Sequence, residues 1–300
     1  MNVVLARLKA FASQPTTVRG MLCMLVAAGA FTVANVGIRA LSAEIHVFEI
    51  AFFRSLFGFI VLAPAFLRHG LTPLKTQRPG LHALRGCINV GAMLAHFSAL
   101  ALVPLATFTA LTFMTPLFVS LLAIAFLGEP ARIQRIAALV AGLAGALVIL
   151  RPGVIAVDLG AGLALLGSAL VAAALIDVKV LSRTDSGLTI TLYLGLFTTP
   201  LCFLAALPFW TMPTVVELGW MFGIGALGSL AHIAIAQAFK DADAVAVMPV
   251  NVPSLIWASL LGYAVLGEIP DIWAWIGGTL IFAAATWLGF KERRRGGPAA

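Results

Sequence analysis

Three polar residues recur along one side of an otherwise apolar stretch: Arg85, Asn89 and His96. At 100° per residue they fall within about 40° of one another, so on a helix they make one stripe. Such a stripe offers a cation, an amide and a titratable ring to the charged head of a small molecule. A second histidine, His232, shares a face with Gly225 and Ser229 in another apolar stretch, which ends in Gln237 and Lys240. A third stretch carries Asn251, Ser254 and Trp257, with Pro249 and Pro253 in its first half. Proline inside a helix frees a carbonyl that lipid cannot satisfy, and such breaks often supply ligand-binding backbone in membrane proteins. Pro116 predicts a similar break beside Thr112 and Thr115.

Asn35, Arg54 and Asp177 also lie inside apolar sequence, where a polar group is costly and asks for a reason. Glu49 and Arg54 are five residues apart, about 140° around a helix, so Arg54 needs its partner from another element. The substrate-binding candidates are therefore Asn35, Asn89, His96, Thr112, His232, Asn251, Ser254 and Trp257. Candidates for coupling or gating are Arg54, Arg85, Asp177 and Lys179, with Asp177 and the two histidines as titrating groups. Each has a structural alternative. Arg85 can snorkel to the surface, the histidines can bond to backbone, and Trp257 can simply pack.

Other chemistries lack their residues. There is no G-x-x-x-x-G-K-[ST] for nucleotide hydrolysis, no H-E-x-x-H and no G-x-S-x-G. No pair of aspartates sits inside an apolar stretch to hold a metal for lipid-phosphate chemistry. Cys23, Cys87 and Cys202 have neither disulfide nor metal spacing. The expectation is no enzyme, no cofactor and no metal.

The elements that must position these groups follow from composition. Hydrophobic residues are 61% of the 300-residue chain and charged residues 10%, against about 25% charged in soluble domains. The apolar runs are about 20 residues long, the length of a helix across ~30 Å of hydrocarbon. They lack the alternation of a barrel strand. Ten runs are predicted, near 20–40, 47–67, 80–100, 104–126, 132–150, 160–181, 187–209, 218–239, 244–266 and 271–290. The chain thus reads as an all-α membrane protein with ten transmembrane helices, the lipid bilayer its main surrounding.

The formal net charge of +7 would suggest nucleic acid in a soluble protein. Here its distribution excludes that partner. With the N-terminus inside, Arg7, Lys9 and Arg19, Arg68, Lys75 and Arg78, Arg132 and Arg135, Lys179 and Arg183, Lys240, and the basic tail from Lys291 to Arg295 all fall on the cytoplasmic side. Only Arg39 and Arg151 fall outside. This positive-inside pattern places both termini in the cytoplasm and supports an even number of spans.

The chain also repeats itself. Leu127-Gly128-Glu129-Pro130 returns as Leu266-Gly267-Glu268-Ile269-Pro270, and His96 returns as His232. Five spans per half make the repeat inverted by parity alone. The expected organisation is a tail over 1–19, a first repeat over 20–150, a linker over 151–158, a second repeat over 159–290 and a basic tail over 291–300. Inversion places Asn35 and His96 toward the outer face, and Asp177 and His232 toward the inner face. The Gly-Glu pairs themselves are expected to be structural, Gly as a left-handed helix cap and Glu at the dipole of the following helix.

Ten helices in two halves, a proline late in the third or early in the fourth, and the duplicated Leu-Gly-Glu resemble the drug/metabolite transporter superfamily, specifically its EamA-type members. The resemblance covers about residues 20–290. It implies an inverted-repeat transporter with a central cavity, an exporter of small metabolites in a bacterial inner membrane. Overall likeness is to the aromatic amino acid exporters of that group. The chain departs from the small multidrug-resistance branch, whose embedded Glu in the first helix is replaced here by Asn35. The expected function is a secondary carrier that exports a small amphipathic metabolite, an amino acid with an apolar side chain. The alternatives are a drug or nucleotide-sugar carrier, a polytopic enzyme acting on lipid, and a scaffold.

Overall fold

In lipid every backbone donor and acceptor must be satisfied within its own segment, which selects helices for runs of this composition. The computed structural model describes residues 16–67, 75–151, 158–185, 187–241 and 252–293. Every regular element among them is helical. In chain order they are α1 (Thr16–Leu41), α2 (Val47–Leu67), α3 (Pro79–Leu102), α4 (Leu105–Thr112), α5 (Thr115–Leu127), α6 (Ile133–Leu150), α7 (Leu159–Leu181), α8 (Gly187–Ala206), α9 (Val215–Asp241), α10 (Val252–Leu266) and α11 (Ile272–Arg293). Most of both expected tails, most of the linker, and residues 242–251 with Pro249 and Asn251 lie outside the described residues.

Eight stretches are long and apolar enough to cross a membrane, with α4 and α5 counted as one (Leu105–Leu127). The 21 residues of α2 and the shorter apolar helix Pro253–Leu266 match the two remaining runs. The fourth run breaks at Phe113–Met114, two residues ahead of the expected proline. Pro116 has no N–H, and its ring crowds the carbonyl four residues back, that of Thr112, where α4 ends. Gly128 and Gly267 have φ of 67° and 68°, the left-handed caps their repeated motif predicts. Asp158 starts α7 by accepting the Gly160 N–H at 2.9 Å.

The packing has a two-fold pattern. Exchange α1 with α7, α2 with α8, α3 with α9, α4–α5 with α10, and α6 with α11. The α1–α9 contact then becomes α7–α3, α2–α9 becomes α8–α3, and α1–α10 becomes the contact of α7 with α4 and α5. The contacts α2–α8, α4–α10 and α6–α11 map onto themselves. Small residues make these approaches possible, since no hydrophobic force separates helix from lipid. Ala27 and Ala30 of α1 pack on Ala231 and Ala234 of α9. A Cβ on Gly277 of α11 would stand 2.4 Å from the Gly145 carbonyl of α6.

Polar contacts between distant segments agree with ten alternating crossings. Arg39–Glu268, Arg151–Asp271 and Thr211–Glu49 each join residues that parity places outside. Arg19–Asp241, Lys179–Glu129 and His82–Asp185 join residues it places inside.

Candidate functional site

Arg54 of α2 points into the junction of α2, α3 and α9. Its Nη1 donates to the Met93 sulfur at 3.2 Å, and its guanidinium lies 5.6 Å from the Phe97 ring centre. Met93 and Phe97 are four apart and so share a face of α3. Gly228 of α9 makes the space: a Cβ there would be 3.2 Å from Arg54 Nη2. The guanidinium is within electrostatic reach of His96 from the first half and His232 from the second.

His96 lies against α7. A Cβ at Gly167 would meet its Cδ2 at 2.1 Å, so glycine at 167 is what lets the ring in. Its Nε2 is 3.5 Å from Ser168 Oγ, and Phe108 meets it edge-on at 5.2 Å. His232 Nδ1 donates to the Gly228 carbonyl at 2.7 Å, since a carbonyl only accepts. Its Nε2 is then left for another partner. The side chain is exposed, with Phe31 of α1 edge-on at 5.2 Å.

The other candidates divide. Asn89 Nδ2 donates to the Arg85 carbonyl of its own helix at 3.1 Å, and Thr112 Oγ1 to the Thr109 carbonyl at 2.7 Å. Asn35 is half-buried. Ser254 is half-buried near the start of α10. Trp257 packs on α1, where a Cβ at Gly29 would be 2.5 Å from its ring. It lines an apolar recess of ≈ 320 Å³ with Gly29, Val33, Leu260 and Leu261. Asn251 lies outside the described residues.

Arg85 does not snorkel. It is buried, and its Nη1 donates to the Ile190 carbonyl of α8 at 2.8 Å. Asp177 of α7 is within its electrostatic reach and has a buried Oδ2 without a hydrogen-bond partner among the described residues. The stripe foreseen on α3 is therefore shared among neighbours: Arg85 faces α8 and His96 faces α7.

The repeated glutamates do more than follow a cap, and here the expectation is corrected. Neither sits on the dipole of the following helix; each reaches the opposite half. Glu268 Oε1 accepts from Arg39 Nε at 3.0 Å, and Oε2 accepts from the Leu105 N–H at 2.7 Å, at the start of α4. Arg39 Nη1 also donates to the Ala101 carbonyl. Glu129 Oε1 accepts from Lys179 Nζ at 2.8 Å and Oε2 from Arg135 at 2.6 Å. Arg39 and Lys179 end equivalent spans, so the two clusters are counterparts at opposite faces. The hydrogen bonds from Lys179 and then Arg135 hold the Glu129 carboxyl below the usual carboxylate range. Also on the inner face, Asp185 accepts from Thr76 Oγ1 at 2.7 Å and lies 2.8 Å from His82 Nε2. Burial pushes the Asp185 carboxyl up, but these bonds outweigh it and hold the group low. The cross-half reach of the glutamates leaves no periodic trace in sequence. The only signal was the parallel recurrence of the basic residues at the ends of spans one and six.

The chain matches the family described as "EamA-like transporter family" twice, over residues 18–151 and 158–290. It is 31% identical to an S-adenosylmethionine uptake transporter of Rickettsia bellii, covering 85% of this chain and 87% of that one. It is 31% identical to a riboflavin transporter of Rhizobium johnstonii, covering 92% of each. It is 29% identical to a pseudopaline exporter of Pseudomonas aeruginosa, covering 88% of this chain and 94% of that one. The chain belongs to the EamA-like transporter family. It is a multi-pass membrane transporter of small metabolites and not an enzyme.

Proposed function

We propose that this member of the EamA-like transporter family carries a small amphipathic metabolite with an amino-acid-like head across the bacterial inner membrane by alternating access. One observation supports the reading: Arg54 lies within electrostatic reach of His96 from its own half and of His232 from the other, and two equivalent ion clusters join the halves. Pockets for such molecules are mostly apolar with a few placed polar groups. Here Phe31, Phe97 and Phe108 stand beside the polar ones. Each cluster joins one half to the other, so rocking the halves loosens one while the other holds. S-adenosylmethionine, named for one relative, is itself an amino acid derivative whose head is joined through a sulfonium to a ribose and an aromatic adenine.

The sequence resemblance implied export. The named relatives include uptake transporters and an exporter. An uncoupled carrier runs down whichever gradient it meets, and this reading takes it as such a facilitator. The experiment is flux of labelled methionine, phenylalanine, S-adenosylmethionine and riboflavin in proteoliposomes holding only this protein, with and without a pH gradient. Saturable flux of an amino acid or its derivative without a gradient is expected. Flux only with the gradient moves the reading to proton coupling, with Asp177 and the histidines as the groups to mutate. Flux of riboflavin alone removes the amino acid head. No flux from a monodisperse protein sinks the reading.

A further inference from the structure

A fixed cation inside a membrane protein is tolerated when something answers its charge. Six of the described basic residues have that answer. Arg19 has Asp241, Arg39 has Glu268, Arg135 and Lys179 share Glu129, and Arg151 has Asp271. Arg85 has a carbonyl and lies in the field of Asp177. Arg54 differs. Among the described residues no carboxylate pairs with it, and its one hydrogen bond goes to a thioether, a weak acceptor. A guanidinium has five N–H donors, so most of them are uncommitted. Phe97, its ring centre 5.6 Å from the guanidinium carbon, brings a π face and no formal charge.

The α9 backbone approaches the donor edge of the guanidinium with no side chain between them. Gly228 contributes no side chain beside Nη2 and Nε, and Arg54 is only half-buried. His96 and His232 lie within electrostatic reach of it, one from each half, and neither supplies negative charge. A planar fork of donors in apolar surroundings is the geometry that takes a carboxylate through two parallel hydrogen bonds.

We propose that Arg54 is the anion-binding group of the carrier and that its substrate bears a carboxylate. The substrate class is thereby narrowed to zwitterions and small organic acids with an apolar body. Neutral sugars and amines lacking an acid are excluded. The assignment rests on the transport function proposed above, with Arg54 as the substrate's counter-ion in place of a gating role.

The test is proteoliposome flux with matched probes: phenylalanine and methionine against their carboxamides, with S-adenosylmethionine and riboflavin alongside. Wild type is expected to carry or be inhibited by the acids and to ignore the amides. Arg54→Gln should raise KM for the acids roughly 10- to 100-fold, the scale of a lost charge-assisted hydrogen bond. Arg54→Lys should keep part of the affinity, since it retains charge without the fork. Equal use of acid and amide, or an unchanged KM in Arg54→Gln, overturns the assignment while transport stands. Flux of riboflavin but of no acid does the same. Absence of flux for every probe, from protein that is monodisperse and melts cooperatively, removes both. Where Arg54→Gln does not purify as a folded protein, the acid–amide comparison in wild type decides alone.

Discussion

The outer and inner ion clusters occupy equivalent positions of the repeat and are built differently. At the outer face the Arg39 and Glu268 side chains are 23% and 14% exposed. Both carboxylate oxygens reach the opposite half, one taking Arg39 and one the N–H at the start of α4, and Arg39 reaches back to the Ala101 carbonyl. At the inner face Lys179 is 54% exposed, and Glu129 divides itself between Lys179 and a nearby arginine of its own half. The same three-residue motif thus makes a well-packed lock at one end and a solvated one at the other. The lesson is that sequence symmetry does not carry energetic symmetry. An exposed ion pair contributes little, while a buried and hydrogen-bonded one is expensive to break from one side.

The sharpest way to break the comparison is Glu268→Ala. It leaves the Arg39 charge without its carboxylate, held only by the Ala101 carbonyl, and the Leu105 N–H without its acceptor, and stability should fall by ~2–4 kcal/mol. Thermal unfolding in detergent reads the loss, and flux should fall with it because the outer face no longer reseals. Next in size is the exchange Arg39→Glu with Glu268→Arg. If the pair itself matters, the double variant should recover about 1–2 kcal/mol relative to the sum of the singles. Recovery of nothing would mean that the Leu105 N–H bond, not the ion pair, is the lock.

At the inner face Glu129→Ala should cost only about 0–1 kcal/mol. A loss as large as that of Glu268→Ala would erase the contrast. Smallest is the effect of pH. The folded Glu129 carboxyl titrates below its ordinary value of 4.5. Its contribution is therefore fully present above 4.5 and is lost as pH falls through the lower, folded value. Melting temperature between pH 7 and 5 should be the same, relative to wild type, in Glu129→Gln. The difference between the two proteins, small throughout, should vanish on further acidification.

Much of this molecule was legible along the chain. The run at 47–67 is α2, that at 132–150 is α6 from Ile133, and Gly128 and Gly267 are left-handed caps as the repeated motif required. Helix in lipid is decided locally, by composition, length and the turn preferences of glycine and proline. The histidine pair was legible as well, because a repeat marks equivalent positions whatever they contact.

Other residues were misread or undervalued for one physical reason. Helical spacing tells which side of a segment a residue is on, not what stands across from it. Arg85 and His96 share a stripe by periodicity and yet meet different helices, α8 and α7. Glu129 and Glu268 were read as charges at the dipoles of the following helices because their partners, Lys179 and Arg39, come from the other half of the chain.

By itself the sequence determined a helical membrane protein, its orientation and its duplication, since hydropathy, basic loops and parity are properties of segments. Only the tertiary structure decided that Arg54 comes within electrostatic reach of His96 and His232 with no carboxylate paired to it among the described residues, and that each repeated glutamate bridges the halves. Those outcomes depend on which helices approach closely, and that is set by small residues packing against surfaces far away in sequence, such as Gly145 on Gly277 and Gly167 beneath His96.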